Sequence, residues 1–273
     1  MKKLILFCIL KIAVYQLHAQ YLQGYPISST NHSMGLCAIS FDDVRGVFAN
    51  PASIASPKQI QSCLFLDQRF NLNELKSISA TVLVPTISGN FAFSFNRFGF
   101  DLYNENMFQL TYGRKILNNL NIGGAIQYHS FNIQEYGNKS IIGFQLGINS
   151  NISKTISFYC SIQNPHRPEI NIVDKLPGYF SVGFQYKPTD LVSFHGELNK
   201  ELDFKEDFRF GIEYHPLQSI FLRLGGHTYP TQLGFGFGFL IFKSLIIEAS
   251  SQYHSILGFH NGIGLSYGII STK

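Results

Sequence analysis

The residues that could do chemistry lie in the second half of the chain, on runs in which apolar and polar side chains alternate. If each run is a β-strand, its charged residues share one parity and point to one face of the sheet. Glu197 would then oppose Arg209 on the next strand, and opposite charges at cross-strand spacing attract. Glu213 and Arg223 form a second pair of this kind. The residues predicted to share this face are His195, Glu197, Arg209, Glu213, Arg223 and Glu248.

Two interpretations of this charged face are open. It could form a polar constriction or orient a ligand. It could instead be a structural network that fills a narrow interior and neutralises its own charges, since attraction is stronger where water is partly excluded. The near balance of acids and bases on this face favours the structural network.

The chain lacks the motifs that mark known catalytic sites. It has no Gly-x-Ser-x-Gly elbow, no phosphate-binding loop and no His-Glu-x-x-His zinc motif. Gly234, Gly236 and Gly238 lie on one face of a predicted strand, where they indicate close packing rather than a nucleotide loop. The three cysteines beyond the N-terminus are spaced too widely for a zinc site or a disulfide framework. We therefore predict that the protein is not an enzyme and has no catalytic residue, metal site or cofactor.

The elements that carry these residues are predicted to be β-strands. In residues 180–186, for example, Phe, Val, Phe and Tyr alternate with Ser, Gly and Gln. This period of two fits a strand, and the helical period of 3.6 fits none of the runs. About fourteen strands can be counted, and an even number is typical of single-chain bacterial outer-membrane barrels. The predicted strands cover residues 60–70, 75–85, 90–98, 105–113, 120–132, 139–149, 154–163, 178–187, 190–200, 206–215, 218–227, 232–242, 244–254 and 258–270.

Composition indicates which solvent each face meets. Charged residues make up 14% of the 273 residues and aromatic residues 15%, whereas a soluble domain carries about 25% charged residues. The polar face of the runs is mostly Gly, Ser, Gln, Thr and Asn, not the Lys and Glu of a sheet in water. We therefore predict an all-β protein, an antiparallel transmembrane β-barrel whose apolar face meets lipid and whose polar face lines the lumen. A soluble β-sandwich or a lipocalin-like barrel is the alternative.

The same composition excludes several other classes. The chain is too rich in Phe, Ile and Leu and too poor in charge to be disordered. Beyond the N-terminus no run approaches the roughly 18 apolar residues of a spanning helix. No basic patch is dense enough to indicate nucleic acid as a partner.

The first residues predict export. Lys2 and Lys3 precede an apolar stretch, and cleavage after Ala19 would suit a signal peptide over residues 1–19. A buried N-terminal helix is the alternative. Export and a barrel together predict that the mature chain lies in the outer membrane of a Gram-negative bacterium, with its lipid as a partner.

Residues 20–57 do not alternate and contain signals for two short helical turns. Asp42 and Asp43 can cap a turn that begins near Val44, and the residue before Pro51 avoids the helical region. Asn50 can cap a second turn with Pro51 in its first position. Because helices this short are unstable alone, we predict a hatch that packs in the lumen of a barrel formed by residues 58–273. A periplasmic arm outside the barrel is the alternative.

The predicted hatch also carries a resemblance to a known family. Asn50, Pro51 and Ala52, with Asp42 and Asp43 upstream, resemble the Asn-Pro-Ala hatch motif of the FadL outer-membrane transporter superfamily, and more closely its PorV/PorQ-like branch. Residues 34–40, 211–214, 222–225, 234–238 and 257–260 also fit the family's pattern. The resemblance covers nearly the whole mature chain, and it implies a fourteen-stranded barrel with an N-terminal hatch.

Two functions follow from this resemblance. The first is that of a PorV/PorQ-like protein, which in type IX secretion acts without catalysis and binds secretion-system components or exported cargo. The second is that of a FadL-like channel for a hydrophobic small molecule such as a fatty acid. The short predicted outer loops favour the first, because long loops build the ligand groove of FadL. An apolar pocket at a break in the wall beneath Asn50 would favour transport, whereas a lumen packed shut would favour a partner-binding scaffold.

Overall fold

The computed structural model describes residues 28–37, 41–170 and 175–269, so the predicted signal peptide lies outside the described residues. The strands form one closed antiparallel barrel in which each strand pairs with its neighbours in sequence and β1 pairs with β14. The strands are β1 Gln61–Arg69, β2 Lys76–Thr86, β3 Gly89–Gly99, β4 Tyr103–Leu117, β5 Leu120–Ile133, β6 Gly137–Asn151, β7 Ile156–Gln163, β8 Tyr179–Tyr186, β9 Val192–Glu201, β10 Glu206–Leu217, β11 Ile220–Thr228, β12 Thr231–Ile241, β13 Leu245–His254 and β14 Gly258–Tyr267.

The predicted barrel and its number of strands are confirmed, and the main differences lie at strand ends. β4 continues to Leu117, although the prediction ended at residue 113. Arg114 and Lys115 interrupt the apolar alternation, yet they remain in the ladder opposite Ile122 and Asn121 of β5. Backbone pairing therefore extends a strand beyond the point at which its side-chain pattern stops.

The two faces of the wall differ as the alternation predicted. On β12, Phe235, Phe237 and Phe239 point outward and are 45–50% exposed, while Gly236 and Gly238 between them face inward. Large apolar side chains cover the outside of the other strands as well, and the inner face is mostly polar and buried. An apolar outer surface of this extent is suited to acyl chains, and closure leaves no unpaired strand edge in lipid.

Residues 28–37 and 41–57, the N-terminal segment, lie against the inner face of this wall. The segment contains helix α1, Ser29–Ser33, and two 3₁₀ turns, Val44–Gly46 and Pro51–Ala55. Asp43 caps the first turn and Asn50 the second, as predicted. Helix α1 was not predicted, because its five residues are all polar and give no periodic signal. Among the described residues, no helix has the length and apolarity needed to cross a bilayer.

Inward-facing glycines let the N-terminal segment approach the backbone of the wall. A methyl group added at Gly123 of β5 would overlap the carbonyl of Pro51, and one added at Gly225 of β11 would overlap the backbone of Met34. These positions need glycine because the backbone of the N-terminal segment occupies the space that a side chain would fill. Two separate parts of the segment therefore dock through close backbone contacts.

Apolar side chains of the N-terminal segment form a small core inside the barrel. Val44, Val47, Phe48 and Ile54 pack together and are at most 5% exposed. Burying a side chain of this size stabilises a fold by roughly 1.5–3 kcal/mol. The inward residues of the wall in this core are Cys63, Leu83, Ala92, Met107, Phe221 and Ile246.

Candidate functional site in the barrel lumen

Arg209 joins two carboxylates on the inner face of the wall. Its Nη1 lies 3.0 Å from Oε1 of Glu197 on β9, and its Nε lies 2.7 Å from Oδ2 of Asp207 on its own strand. Asp207 was not among the predicted residues, although it stands two positions before Arg209 and shares its face. Nδ1 of His227 on β11 lies 3.7 Å from the same carboxyl group. The cluster spans three adjacent strands.

Arg223 occupies the centre of a second cluster. Its Nε lies 2.6 Å from Oε2 of Glu213 on β10, and its Nη1 lies 2.6 Å from Oε1 of Glu248 on β13. The side chain of Arg223 is only 1% exposed. A guanidinium between two carboxylates compensates charges that would be costly to bury alone.

The N-terminal segment completes this second cluster. Thr30 of α1 donates its Oγ1 hydrogen to Glu248 at 2.8 Å, and Arg45 Nη1 lies 3.9 Å from the same carboxylate oxygen. Arg45 also contacts Asp43 through Nε and Nη2, the latter at 2.7 Å. Glu248 is therefore the point at which the ion pairs of the wall continue into the segment.

His195 faces the lumen but contacts a different set of groups. Its Nε2 lies 2.9 Å from the hydroxyl of Ser193, and its ring stacks on Phe41 with centroids 5.7 Å apart. The structure thus places His195 against the N-terminal segment, beside the two charged clusters.

Asn50, Pro51 and Ala52 dock on the opposite side of the lumen. The amide of Asn50 donates to the carbonyl of Ile148 at 3.1 Å. Gln145 of β6 donates to the carbonyls of Phe48 at 3.0 Å and Ala49 at 2.9 Å. Strands β5 and β6 stay paired throughout behind this motif, so the wall beneath it is intact.

Asp42 is a titratable group of the segment whose protonation depends on docking. The amide of Asn149 donates to its carboxylate. Burial, and then the neighbouring Asp43 carboxylate, raise the pKa of Asp42 to about 7, while Lys115 acts in the opposite direction. The docked segment therefore favours the protonated form of Asp42 well above the usual pH range of an aspartic acid.

A third polar cluster was not predicted from the sequence. His32 of α1 lies 2.9 Å from the hydroxyl of Ser250, and its ring centroid lies 4.1 Å from that of His260. Nε2 of His260 lies 2.6 Å from Oδ2 of Asp67. Burial, and then His260, lower the pKa of His32 well below its ordinary value, so this histidine is neutral in the docked segment. The alternation along β1 and β14 could have identified Asp67 and His260 as inward residues, but nothing in the local pattern indicates His32.

The mouth of the lumen carries apolar side chains under the longest connection. Phe131 of β5 and Ile141 of β6 point inward and pack with Leu176, which is 1% exposed. Asn164 at the start of this connection donates to the carbonyl of Pro177 at 3.3 Å. Leu176, near the end of the connection between β7 and β8, therefore lies in the mouth of the lumen.

The inward side chains of the wall provide polar contacts for the N-terminal segment and some apolar surface. Among the described ranges, no group of three or more His, Cys, Asp or Glu side chains is placed to hold a metal ion. The charged side chains are used in contacts with one another and with the N-terminal segment.

Arg223→Ala tests whether the second cluster is structural. The change leaves Glu213 and Glu248 buried without their guanidinium, and breaking a buried pair in this way costs about 3–5 kcal/mol. We expect the folded barrel to convert to the unfolded band at a clearly lower temperature on a semi-native gel. Arg114→Ala, on the exposed outer face, is the control and should behave like the wild type; identical transitions in all three proteins would contradict a structural role.

Asp42→Asn tests the pH dependence of docking. An undocked Asp42 ionises near its ordinary pKa of 3.8, and the docked one near 7. Docking therefore weakens as pH rises between these values and stays weakened above them. We expect protease protection of the N-terminal segment to fall from pH 5 to pH 8 in the wild type and to change less in Asp42→Asn. Asp190→Asn, in an exposed turn, should keep the wild-type profile; a pH-independent wild type would refute the role of Asp42.

Comparisons with known proteins identify solved structures that have a similar architecture. No protein-family model and no curated protein matches the chain. The CymD monoaromatic hydrocarbon channel is 11% identical with a TM-score of 0.68, over 89% of this chain and 98% of the channel. The toluene transporter TbuX of Ralstonia pickettii is 10% identical with a TM-score of 0.69, over 88% of this chain and 96% of TbuX. A FadL homologue of Pseudomonas aeruginosa is 12% identical with a TM-score of 0.62, over 88% of this chain and 98% of the homologue. At such identities the likeness concerns the fold, and the chain has the fold of the FadL-like outer-membrane transporters.

Proposed function

We propose that this protein is an outer-membrane channel for small hydrophobic compounds and that its N-terminal segment is the hatch of the channel. One observation carries the proposal: the barrel has the fold of monoaromatic hydrocarbon channels and holds its N-terminal segment in the lumen through non-covalent contacts. In this proposal the binding partners are membrane lipid outside the barrel and a hydrophobic compound within it.

The connections between strands support one orientation in the membrane. Only residues 87–88 separate β2 from β3, and only residues 218–219 separate β10 from β11. The longest connection, between Gln163 and Tyr179, lies at the opposite end. Short periplasmic turns and longer outer loops are the usual asymmetry of these barrels. The end with the longest connection is therefore assigned as the outer mouth.

The inner wall near this mouth carries apolar side chains that a hydrophobic compound would contact once Leu176 and the N-terminal segment move aside. Phe98, Met107, Phe131 and Ile141 come from four consecutive strands and point inward, each 5–8% exposed. In one row across the strands, Glu105 lies between Phe98 and Phe131. In the adjacent row the order is Asn96, Met107, His129 and Ile141, so apolar and polar side chains alternate in both rows. A patch of this kind is unexpected for a purely aqueous pore and favours an apolar ligand.

Passage through the lumen requires the N-terminal segment to move. The segment occupies the space between opposite walls, with Pro51 near Gly123 and Met34 near Gly225. Glu248 is one point of attachment, because it accepts a hydrogen bond from Thr30 and lies 3.9 Å from Arg45. Displacing the segment leaves the barrel ladder intact, because none of the strand pairs includes a residue of the segment.

Gly123→Val and Gly124→Val form a matched pair for testing this proposal. The first puts a side chain where the backbone of Pro51 lies, and the second puts one on the outside beside Leu146. We expect cells that express the wild type to take up radiolabelled toluene or oleate faster than cells with an empty vector. Gly123→Val should raise the initial rate severalfold further, because the hatch is displaced, and Gly124→Val should match the wild type.

Two results would count against the channel. Uptake no faster than the empty vector in both the wild type and Gly123→Val, with folded barrels in the membrane, would refute transport of these compounds. An unchanged rate in Gly123→Val, with the N-terminal segment shown by proteolysis to be displaced, would refute the hatch.

The PorV/PorQ-like role is the second candidate, and the closed lumen and short outer connections favour it. Only residues 100–102 join β3 to β4, and only residues 229–230 join β11 to β12. A barrel with little room inside and short loops outside suits a scaffold that binds proteins. Affinity capture from native membranes would recover secretion components and exported cargo under this hypothesis, and lack of both, together with uptake, would favour the channel.

A further inference from the structure

The outer surface of the wall contains a groove of about 800 Å³ across β12, β13, β14, β1 and β2, with β3 at one side. It exists because one row of outward positions carries small or polar side chains where neighbouring rows are apolar. Ser251, Asn261 and Gln68 follow one another across this row, each opposite the next in the ladder. Phe235 lies at one end of the row and Lys76 at the other.

The next row of outward residues supplies an apolar floor and wall. Phe237, Ala249 and Ile263 are in register across β12, β13 and β14, and Ile263 lies opposite Leu66 of β1. Ala249 is the smallest of these residues, so the groove deepens between Phe237 and Ile263. Acyl chains fit such a surface, and the volume lies within the roughly 300–1,000 Å³ of ligand pockets.

Two cations stand at the β2–β3 side of the groove. Arg97 of β3 lies opposite Ile78 of β2, and Lys76 precedes Ile78 by two positions, so the cations are diagonal neighbours on the outer face. Diagonal positions of a ladder are about 7–8 Å apart, within reach of long side chains. One anionic group can therefore contact both.

These cations differ from the other charges near this end of the wall. Lys200 pairs with Glu206 at 2.8 Å, whereas neither Lys76 nor Arg97 forms an ion pair with any residue that the structure describes. Both lie at or near the ends of β2 and β3 that face the outer mouth. Cations beside a membrane-facing groove attract the phosphate groups of lipids.

The polar row adds hydrogen-bonding groups beside the cations. Gln68 donates to Asn73 of the β1–β2 connection at 3.3 Å, and Ser251 donates to Asn261 at 2.8 Å. These contacts fix the amides at the top of the groove, next to Lys76. Amides in this position can bind sugar hydroxyls, which a simple diacyl phospholipid lacks in number.

We propose that this groove binds a phosphorylated glycolipid of the outer leaflet, of the lipid A type. The phosphate lies between Lys76 and Arg97, the sugar faces Gln68 and Asn261, and acyl chains lie along the apolar floor beside Ala249. The site is on the outside of the wall and separate from the lumen. It rests on the outer-membrane placement of the barrel and not on transport, so its test and the uptake test can fail independently.

The test uses the full barrel in a mild detergent and native mass spectrometry with purified lipid A as the probe. We expect the wild type to bind one lipid A molecule. Lys76→Gln combined with Arg97→Gln should weaken binding by at least about tenfold, since each cation near a membrane surface contributes measurable affinity for anionic lipid. Ala249→Phe, which fills the groove and keeps both cations, should also weaken binding. Lys200→Gln is the matched control and should bind like the wild type.

Several outcomes would overturn the proposal. Equal loss of binding in Lys200→Gln would show general attraction between cations and lipid. Undiminished binding in Ala249→Phe would exclude the groove as the acyl site. Equal affinity for phosphatidylglycerol would exclude recognition of a glycolipid. Each variant is first checked for wild-type heat-modifiable migration, and the Gln variants keep the test valid if Ala249→Phe fails to fold.

Discussion

Lipid offers no hydrogen-bonding partner to a peptide group, and this constraint governs the rest of the structure. Every strand must pair on both sides, and the pairing of β1 with β14 meets that requirement. Once the ring is closed, strand geometry sends alternate side chains outward and inward. The outward set meets lipid and is mostly apolar, while the inward set is mostly polar and has to find partners inside a narrow lumen.

The N-terminal segment provides many of those partners. Glu248 illustrates this, because it receives Arg223 from the wall and Thr30 from the segment. On the opposite side, Gln145 uses its amide on the backbone carbonyls of Phe48 and Ala49. The same contacts that satisfy buried polar groups also hold the segment in the lumen, so in the proposed channel one set of residues serves both the folded structure and the gate.

The alternation along the chain was sufficient to predict the barrel, the face of each strand and the pairs Glu197–Arg209 and Glu213–Arg223. Short connections fix the register between neighbouring strands, so the odd or even position of a residue along its strand is enough to predict such pairs. Parity could also have included Asp207 and Asp67. His32 and Thr30 could not be found in this way, because their partners are distant in sequence and α1 lacks an apolar stripe, and the same distance hides the contact of Arg45 with Glu248. The outer groove was equally hidden, since it depends on the register of six strands.

The structure and both proposals depend on the orientation of the two faces of the wall, with lipid outside and the N-terminal segment inside. Spin labels placed singly at positions 144–149 of β6 in reconstituted membranes test it directly through collisions with oxygen and with a water-soluble nickel chelate. With this orientation we expect high oxygen accessibility at 144, 146 and 148, and low accessibility to both reagents at 145 and 149, where the segment covers the wall. High oxygen accessibility at 145 and 149 with low accessibility at 144, 146 and 148, or free access of the chelate to the labels at 144, 146 and 148, would contradict this orientation.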